Sequence, residues 1–311
     1  MIRFASARAL QAILTVWFVL TVVFGLSRAT GNPAALLAPP NAPPSAVAQL
    51  RQQLGLNRSL LDQYLSYLNQ VVHGDFGTST SYNQPVRGLI LSAFPKTAEL
   101  GTAAFIFALL VGVTLGLMAG MRRGGFIDSF VKFVSLLFQS IPSFALGILL
   151  ILVFGVKFRV LPTSGSAGLS SLVLPAIALG AYPLAAFARL TRSAVIDVIN
   201  KDQTLFLRTK GVGVIVLIRH VLRNASLPVV TLAGIQLGTL LSGTIVVETV
   251  FSWPGVGQLA VQAIFNQDYA LIEGIVILNT IVFMILLFLV DLSYAGLDPR
   301  TRRSHSVRAT G

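Results

Sequence analysis

The stretch LFLRTKGVGVIVLIRHVLRNASLP, Leu205 to Pro228, sets four Arg/Lys side chains and one His among apolar residues. Its reading decides the architecture. Its central apolar run, Val212 to Ile218, covers seven residues, or roughly 10 Å of helix at about 1.5 Å per residue. That is about a third of the ~30 Å hydrocarbon thickness of a bilayer, so the stretch cannot span and belongs to a loop. Gly211 and Gly213 offer a turn between two short helices, and Leu227-Pro228 opens the next apolar segment.

Outside this loop the chain is made of apolar runs. It has 311 residues, 54% hydrophobic and 11% charged, with a mean hydropathy of +0.79, which is the composition of an integral membrane protein. Uncharged runs of membrane-crossing length predict six spans: Ala9 to Leu26, Leu100 to Met121, Phe133 to Val156, Ser171 to Ala188, Leu227 to Val247, and Gly274 to about Leu297, the last interrupted by Asp291. The first follows Arg3 and Arg8 as a signal peptide would. Its 18 apolar residues exceed a usual h-region and LSRATG is a poor cleavage site, so a retained anchor is expected.

The net charge of +12 follows topology and not a nucleic-acid stripe. With the N-terminus in the cytoplasm, 16 of the 23 basic residues fall on that side, seven of them between Arg189 and Arg223. The short loops opposite hold Lys157 and Arg159. Both termini are therefore expected in the cytoplasm.

The long external loop begins with the proline-rich APPNAPPS and then turns helical. Leu60, Leu61, Tyr64, Leu65, Leu68, Val71 and Val72 recur at three-to-four spacing, Ser59 with Asp62 resembles a capping box, and Gly74 can end the helix. A small external subdomain follows. The domain plan is residues 1–27 for the tail and first helix, 28–97 for the external subdomain, and 98–311 for a core containing the cytoplasmic loop at about 189–228 and a basic C-terminal tail. Gly112, Gly116 and Gly120, like Gly234 and Gly238, recur every four residues as strips for close helix approach. Pro142, Pro175 and Pro183 lie inside spans.

Several chemistries are missing. There is no GxxxxGK[ST] phosphate loop, no HExxH and no cysteine, and His73, His220 and His305 fall outside the spans. Glu99, Glu248, Glu273 and Asp291 sit toward span ends, unlike the midplane ionisable groups of an ion-driven carrier. No catalytic, metal or cofactor site is expected, and energy has to arrive from outside. The loop from Arg189 to Pro228 is the entry point: positive-inside anchoring accounts for Arg219 and Arg223, whereas a docking element also accounts for Phe206, Leu207 and the glycines.

At this loop the sequence resembles the inner-membrane permeases of ATP-binding-cassette importers, with Gly211 and Leu227-Pro228 in place and Leu205, Phe206 and Leu207 where those permeases carry Glu-Ala-Ala. GDFGTS (Gly74 to Ser79), PSFALGILLI (Pro142 to Ile151), LPTSG (Leu161 to Gly165), RHVLRNASLPVVT (Arg219 to Thr231), VVETVFSWPGVGQL (Val246 to Leu259) and LDPR (Leu297 to Arg300) resemble, in order, the B-type permease of dipeptide, oligopeptide and nickel importers. The resemblance implies an all-α, six-helix type I importer permease that imports peptides by alternating access. Its implied partners are a C-type permease in a pseudo-symmetric heterodimer, two cytoplasmic nucleotide-binding domains that hold ATP and Mg, an external solute-binding protein, and membrane lipid. No nucleic acid is implied.

By that analogy the segment from about Lys201 to Val214 carries the coupling helix, with Phe206 and Leu207 as apolar anchors, Arg208 and Lys210 as rim charges, and Leu205 and Gly211 in the same coupling set. Gln139, Gln236 and Asn279 are the amides deepest in spans and Glu248 a carboxylate at a span end; they are candidates for the translocation path or gate. Helix-to-helix hydrogen bonding is an equal reading for the amides, and a structural pairing is preferred for Glu248. A permease for nickel or another small solute, and a self-sufficient secondary carrier, are the alternatives.

Overall fold

The computed structural model describes residues 2–30, 43–53 and 55–297. These form helices and loops, and among them the β pairing is limited to one isolated bridge, Thr78 to Pro85. In chain order the helices are α1 (Ile2–Thr30), α2 (Pro44–Gln53), α3 (Leu60–Val72), α4 (Val86–Met121), α5 (Phe126–Ser140), α6 (Ser143–Leu150) running into a π-helical turn Ile151–Lys157, α7 (Leu169–Ile199), α8 (Asp202–Thr209), α9 (Val214–Val250), α10 (Val256–Phe265) and α11 (Tyr269–Leu297). Four of them, α1, α4, α7 and α11, are long and apolar enough to cross a membrane. The count rises to six if each of two bent pairs is one crossing.

Those bends correct the sequence reading. The span expected from Phe133 to Val156 is two helices that meet at 106°. Ile141, which precedes Pro142, is extended (φ −88°, ψ 122°), because the proline ring bars its predecessor from the helical region. The second bend, 52°, lies between Ile215–Ser226 and Pro228–Leu240. Pro228 returns no hydrogen bond to the Asn224 carbonyl, which kinks a helix without having to end it. The second of the two short helices expected around Gly211 and Gly213 is therefore the start of the 37-residue α9. The second span also begins earlier than its apolar run: α4 starts at Val86, so residues 86–97 of the expected external subdomain are helix.

Contacts divide the chain into two units, Met1–Ala93 with Leu259–Phe288 and Phe94–Gln258 with Leu289–Gly311. In the first, α3 is capped as its sequence predicts: Asp62 N–H donates to Ser59 Oγ at 3.1 Å, and Ser59 Oγ donates to Asp62 Oδ2 at 2.7 Å. Gly74, at φ +71°, takes the left-handed position beyond its end. The packed face differs from the expected one. Tyr64 and Tyr67 lie against Phe24 at ring separations of 5.2 and 5.5 Å, while Leu60, Leu61, Leu65 and Val72 stay exposed. Of the proline-rich stretch, Pro44 begins α2, a position that suits its missing N–H; residues 38–42 lie outside the described residues, as do Asp298 to Arg300 of LDPR and the basic tail.

In the second unit the glycine strip does what its spacing predicts. A Cβ on Gly112 would sit 2.6 Å from the Leu184 carbonyl oxygen, and one on Gly120 would sit 2.6 Å from Val195 Cγ1. Only hydrogen fits at these positions, so α4 and α7 approach backbone to backbone, where dispersion and not water expulsion holds helices together in a bilayer. Leu100, Ala104, Leu174, Leu179, Phe251 and Trp253 belong to the core cluster beside this contact.

Candidate functional site

The segment Asp202–Thr209, α8, is a short helix seated on the end of α7. Thr204 is buried and donates Oγ1 to the Val198 carbonyl at 2.7 Å, which fixes α8 to α7. On the other side Leu205 and Phe206 are 48% and 58% exposed, and Leu207 is half-buried. Lys210 Nζ lies 4.5 Å from the centroid of the Phe206 ring, a cation–π contact. Gly211 at φ +69° and the Val212 N–H bonded to the Leu207 carbonyl at 3.3 Å end the helix. The Arg208 side chain lies outside the described ones. α8 thus presents two adjacent apolar side chains and a cation on its outer face.

A charged cluster near the start of α5 is absent from the sequence reading. Asp128 is 1% exposed and receives both Arg192 Nε and, at 3.0 Å, Arg192 Nη2. It also accepts the Gly124 N–H at 3.0 Å and faces Lys132 Nζ at 3.3 Å. The fork geometry makes this a directional tie between α5 and the part of α7 that leads to α8. Asp128, Val131 and Ser135 are the buried residues of α5, and their i, i+3, i+7 spacing was the available signal: it places an acid on the inward face.

Where α5 breaks into α6, a cavity of ≈ 320 Å³ opens. Gln139, Ser140 and Pro142 come from the break, Tyr182 and Pro183 from α7, and Thr239 from α9. The Nε2 of Gln139 is buried and, among the described residues, has no hydrogen-bond partner; the same holds for Nε2 of Gln236. Gln236 is 4% exposed and is not part of the cavity wall, although its carbonyl accepts the Thr239 hydroxyl at 3.0 Å. Asn279 is an exposed residue of α11 and belongs to the other unit. The structure therefore associates Gln139 with a cavity and places Gln236 one turn from its wall.

Glu248 sits elsewhere in the second unit. It is fully buried, and its Oε2 accepts the N–H groups of Gly257 at 2.7 Å and Gln258 at 3.1 Å. These are among the orphan donors of the first turn of α10, so the carboxylate caps that helix from α9. The rest of the SWPGVGQ turn builds the reversal. Trp253 N–H closes on the Glu248 carbonyl at 2.8 Å, its indole donates to the Lys96 carbonyl at 2.8 Å, and Val256 N–H donates to Thr97 Oγ1 at 2.8 Å. A Cβ on Gly255 would collide with both Glu248 oxygens, which explains the glycine.

In the first unit Asp268, fully buried between α10 and α11, accepts Ser79 Oγ at 2.5 Å, Ser81 N–H at 3.0 Å and Leu271 N–H at 3.2 Å. Burial pushes its carboxyl up, but these hydrogen bonds outweigh that and hold it below the ordinary carboxylate range. The loop after GDFGTS is thereby fastened to the start of α11. Among the described residues no group of three or more His, Asp or Glu side chains converges as a metal site would require.

Residues 112–303 match the family described as binding-protein-dependent transport system inner membrane component, and residues 1–101 match the N-terminal family of the same membrane components. The glutathione transport system permease protein GsiC of Escherichia coli (strain K12) is 38% identical over 304 residues, 97% of this chain and 99% of that protein. The GsiC protein of Salmonella typhimurium (strain LT2) is 39% identical over the same length. Among solved structures, an inward-facing form of the MetNI methionine ABC transporter aligns with a TM-score of 0.51 at 20% identity, covering 67% of this chain and 94% of that one; this likeness concerns the fold.

Proposed function

The chain belongs to the family of inner-membrane components of binding-protein-dependent transport systems, the permeases of ABC importers, and from that premise we propose that it moves short peptides, dipeptides or small oligopeptides, across the cytoplasmic membrane by alternating access. It is a multi-pass transport subunit and not an enzyme. The observation that carries the peptide reading is the 38% identity, over 97% of the chain, to a permease named for glutathione, itself a tripeptide. A nickel or other small-solute cargo is the second reading.

In the proposed assembly this chain pairs with a second, C-type permease, two nucleotide-binding domains supply ATP hydrolysis with Mg, and an external binding protein delivers cargo. The six-crossing count rests on the lengths of the apolar runs, and the cytoplasmic placement of both termini on the charge asymmetry of the loops. Leu205, Phe206, Leu207, Arg208, Lys210 and Gly211 form the coupling element; the exposed Leu205 and Phe206 on a helix pinned to α7 support this. Gln139 and Gln236 are proposed for the path, Asn279 remains a candidate by sequence depth alone, and Glu248 is assigned the structural role its backbone partners suit.

The test is reconstitution of the chain with its partner subunits in proteoliposomes. ATP-dependent uptake of di- or tripeptides, stimulated by the binding protein, is expected. Uptake of a nickel chelate without peptide uptake would replace the cargo, and ion-driven uptake by the chain alone would replace the mechanism.

A further inference from the structure

The cavity at the α5/α6 break has a wall chemistry that packing does not explain. Tyr182 is 53% exposed although Ala181 and Pro183 on either side of it are buried, so α7, otherwise a core helix, turns one polar ring toward this space. The Nε2 of Gln139, a wall residue, is buried behind the cavity surface and among the described residues has no acceptor, and a buried donor left unpaired is costly until something pairs with it. The hydroxyls of Ser140 and Thr239 already donate, to the Leu136 and Gln236 carbonyls at 2.9 and 3.0 Å, so toward the cavity they offer acceptor lone pairs. Leu179 and Pro142 supply apolar wall.

An unpaired donor, spare acceptors and apolar flanks, with no charged side chain among the described wall residues, complement a neutral amide. They do not suit a divalent transition metal such as nickel, which favours imidazole, and they give an amino terminus no counter-charge. The volume of ≈ 320 Å³ lies at the small end of the range of about 300–1,000 Å³ for ligand pockets. The backbone is irregular here, which a membrane-embedded segment tolerates where it lines a cavity.

We propose that this cavity is a subsite for the peptide backbone of the cargo, with the Gln139 amide turning from behind the wall to donate Nε2–H to a peptide carbonyl and the Ser140 and Thr239 hydroxyls accepting a peptide N–H. The inference rests on the peptide reading of the function. A site that reads backbone and not side chains passes different sequences at similar rates.

The experiment uses the complete transporter in proteoliposomes, with tri-alanine and tri-alanine methylated on its central amide nitrogen as probes. The affinity of the binding protein for each probe is measured separately and factored out. Wild type is expected to prefer tri-alanine over its methylated form. Gln139→Leu lowers kcat/KM for tri-alanine by about three- to tenfold, the loss of one neutral hydrogen bond, and Thr239→Val narrows the preference between the probes. Assembly yield by co-purification monitors folding. As a measurement on the unaltered protein, a tripeptide carrying a central diazirine residue is expected to label the segments 139–143 and 179–183. Labelling confined to other segments, or both variants assembling fully and keeping wild-type uptake and preference, overturns the subsite while leaving peptide transport intact. Absence of any ATP-dependent tri-alanine uptake by wild type overturns both.

Discussion

Glu248 and Asp268 are both buried carboxylates whose partners are mostly backbone N–H groups. Each stands at the start of a helix, α10 or α11, where unsatisfied donors cluster and the helix dipole favours negative charge. For Glu248 the need of a partner is legible in the sequence, since valines flank it; the partner is not, because the Gly257 and Gln258 donors reach it through a chain reversal. Asp268 yields a prediction. Its folded pKa is depressed, so its contribution is complete above the unfolded value of about 3.9 and is lost as pH falls through the lower folded value. Asp268→Asn removes charge-assisted hydrogen bonds worth about 1.5–3 kcal/mol each. The variant should melt at lower temperature than wild type near pH 7, and the gap should shrink as pH falls below about 4, read from melting curves in detergent between pH 3 and 7.

At the scale of elements, α8 and the α5/α6 break carry the functional argument. The short apolar run and the glycines mark α8 in the sequence, but its seat on α7 through Thr204 and the folding of Lys210 over Phe206 depend on side chains that periodicity does not rank. Leu205 and Phe206 face outward, so the proposed coupling role can be tested by substitution without emptying the core. Phe206→Glu with Leu207→Glu is expected to keep the chain in the membrane and abolish co-purification of the ATPase subunits together with substrate-stimulated ATP hydrolysis. Retained association and stimulation would remove the coupling assignment. The Asp128–Arg192 tie joins α5 to the helix on which α8 sits, and it escaped the sequence reading because 64 residues separate its members.

For the whole molecule the charge asymmetry of the loops predicts a topology. The chain contains no cysteine, so single substitutions report sidedness without background. With both termini in the cytoplasm, Lys210→Cys should react with a membrane-impermeant maleimide in inverted vesicles and not in intact cells, and Thr163→Cys should show the reverse. Equal labelling of both sites from one side would overturn the six-crossing plan.

The amino-acid sequence by itself determined the class of this protein: long uncharged runs separated by sided basic loops admit a helical membrane protein and little else, because hydrocarbon accepts only segments that satisfy their own backbone. It also determined where helices approach closely, since Gly112, Gly116 and Gly120 leave one outcome for a strip without side chains. Only the tertiary structure decided that the apolar run from Phe133 to Val156 is two helices meeting at 106°, that Glu248 caps α10, and that Asp128 meets Arg192. A proline states that a hydrogen bond is missing but not the angle that results, and a buried charge states that it needs a partner but not which distant residue the packing brings to it.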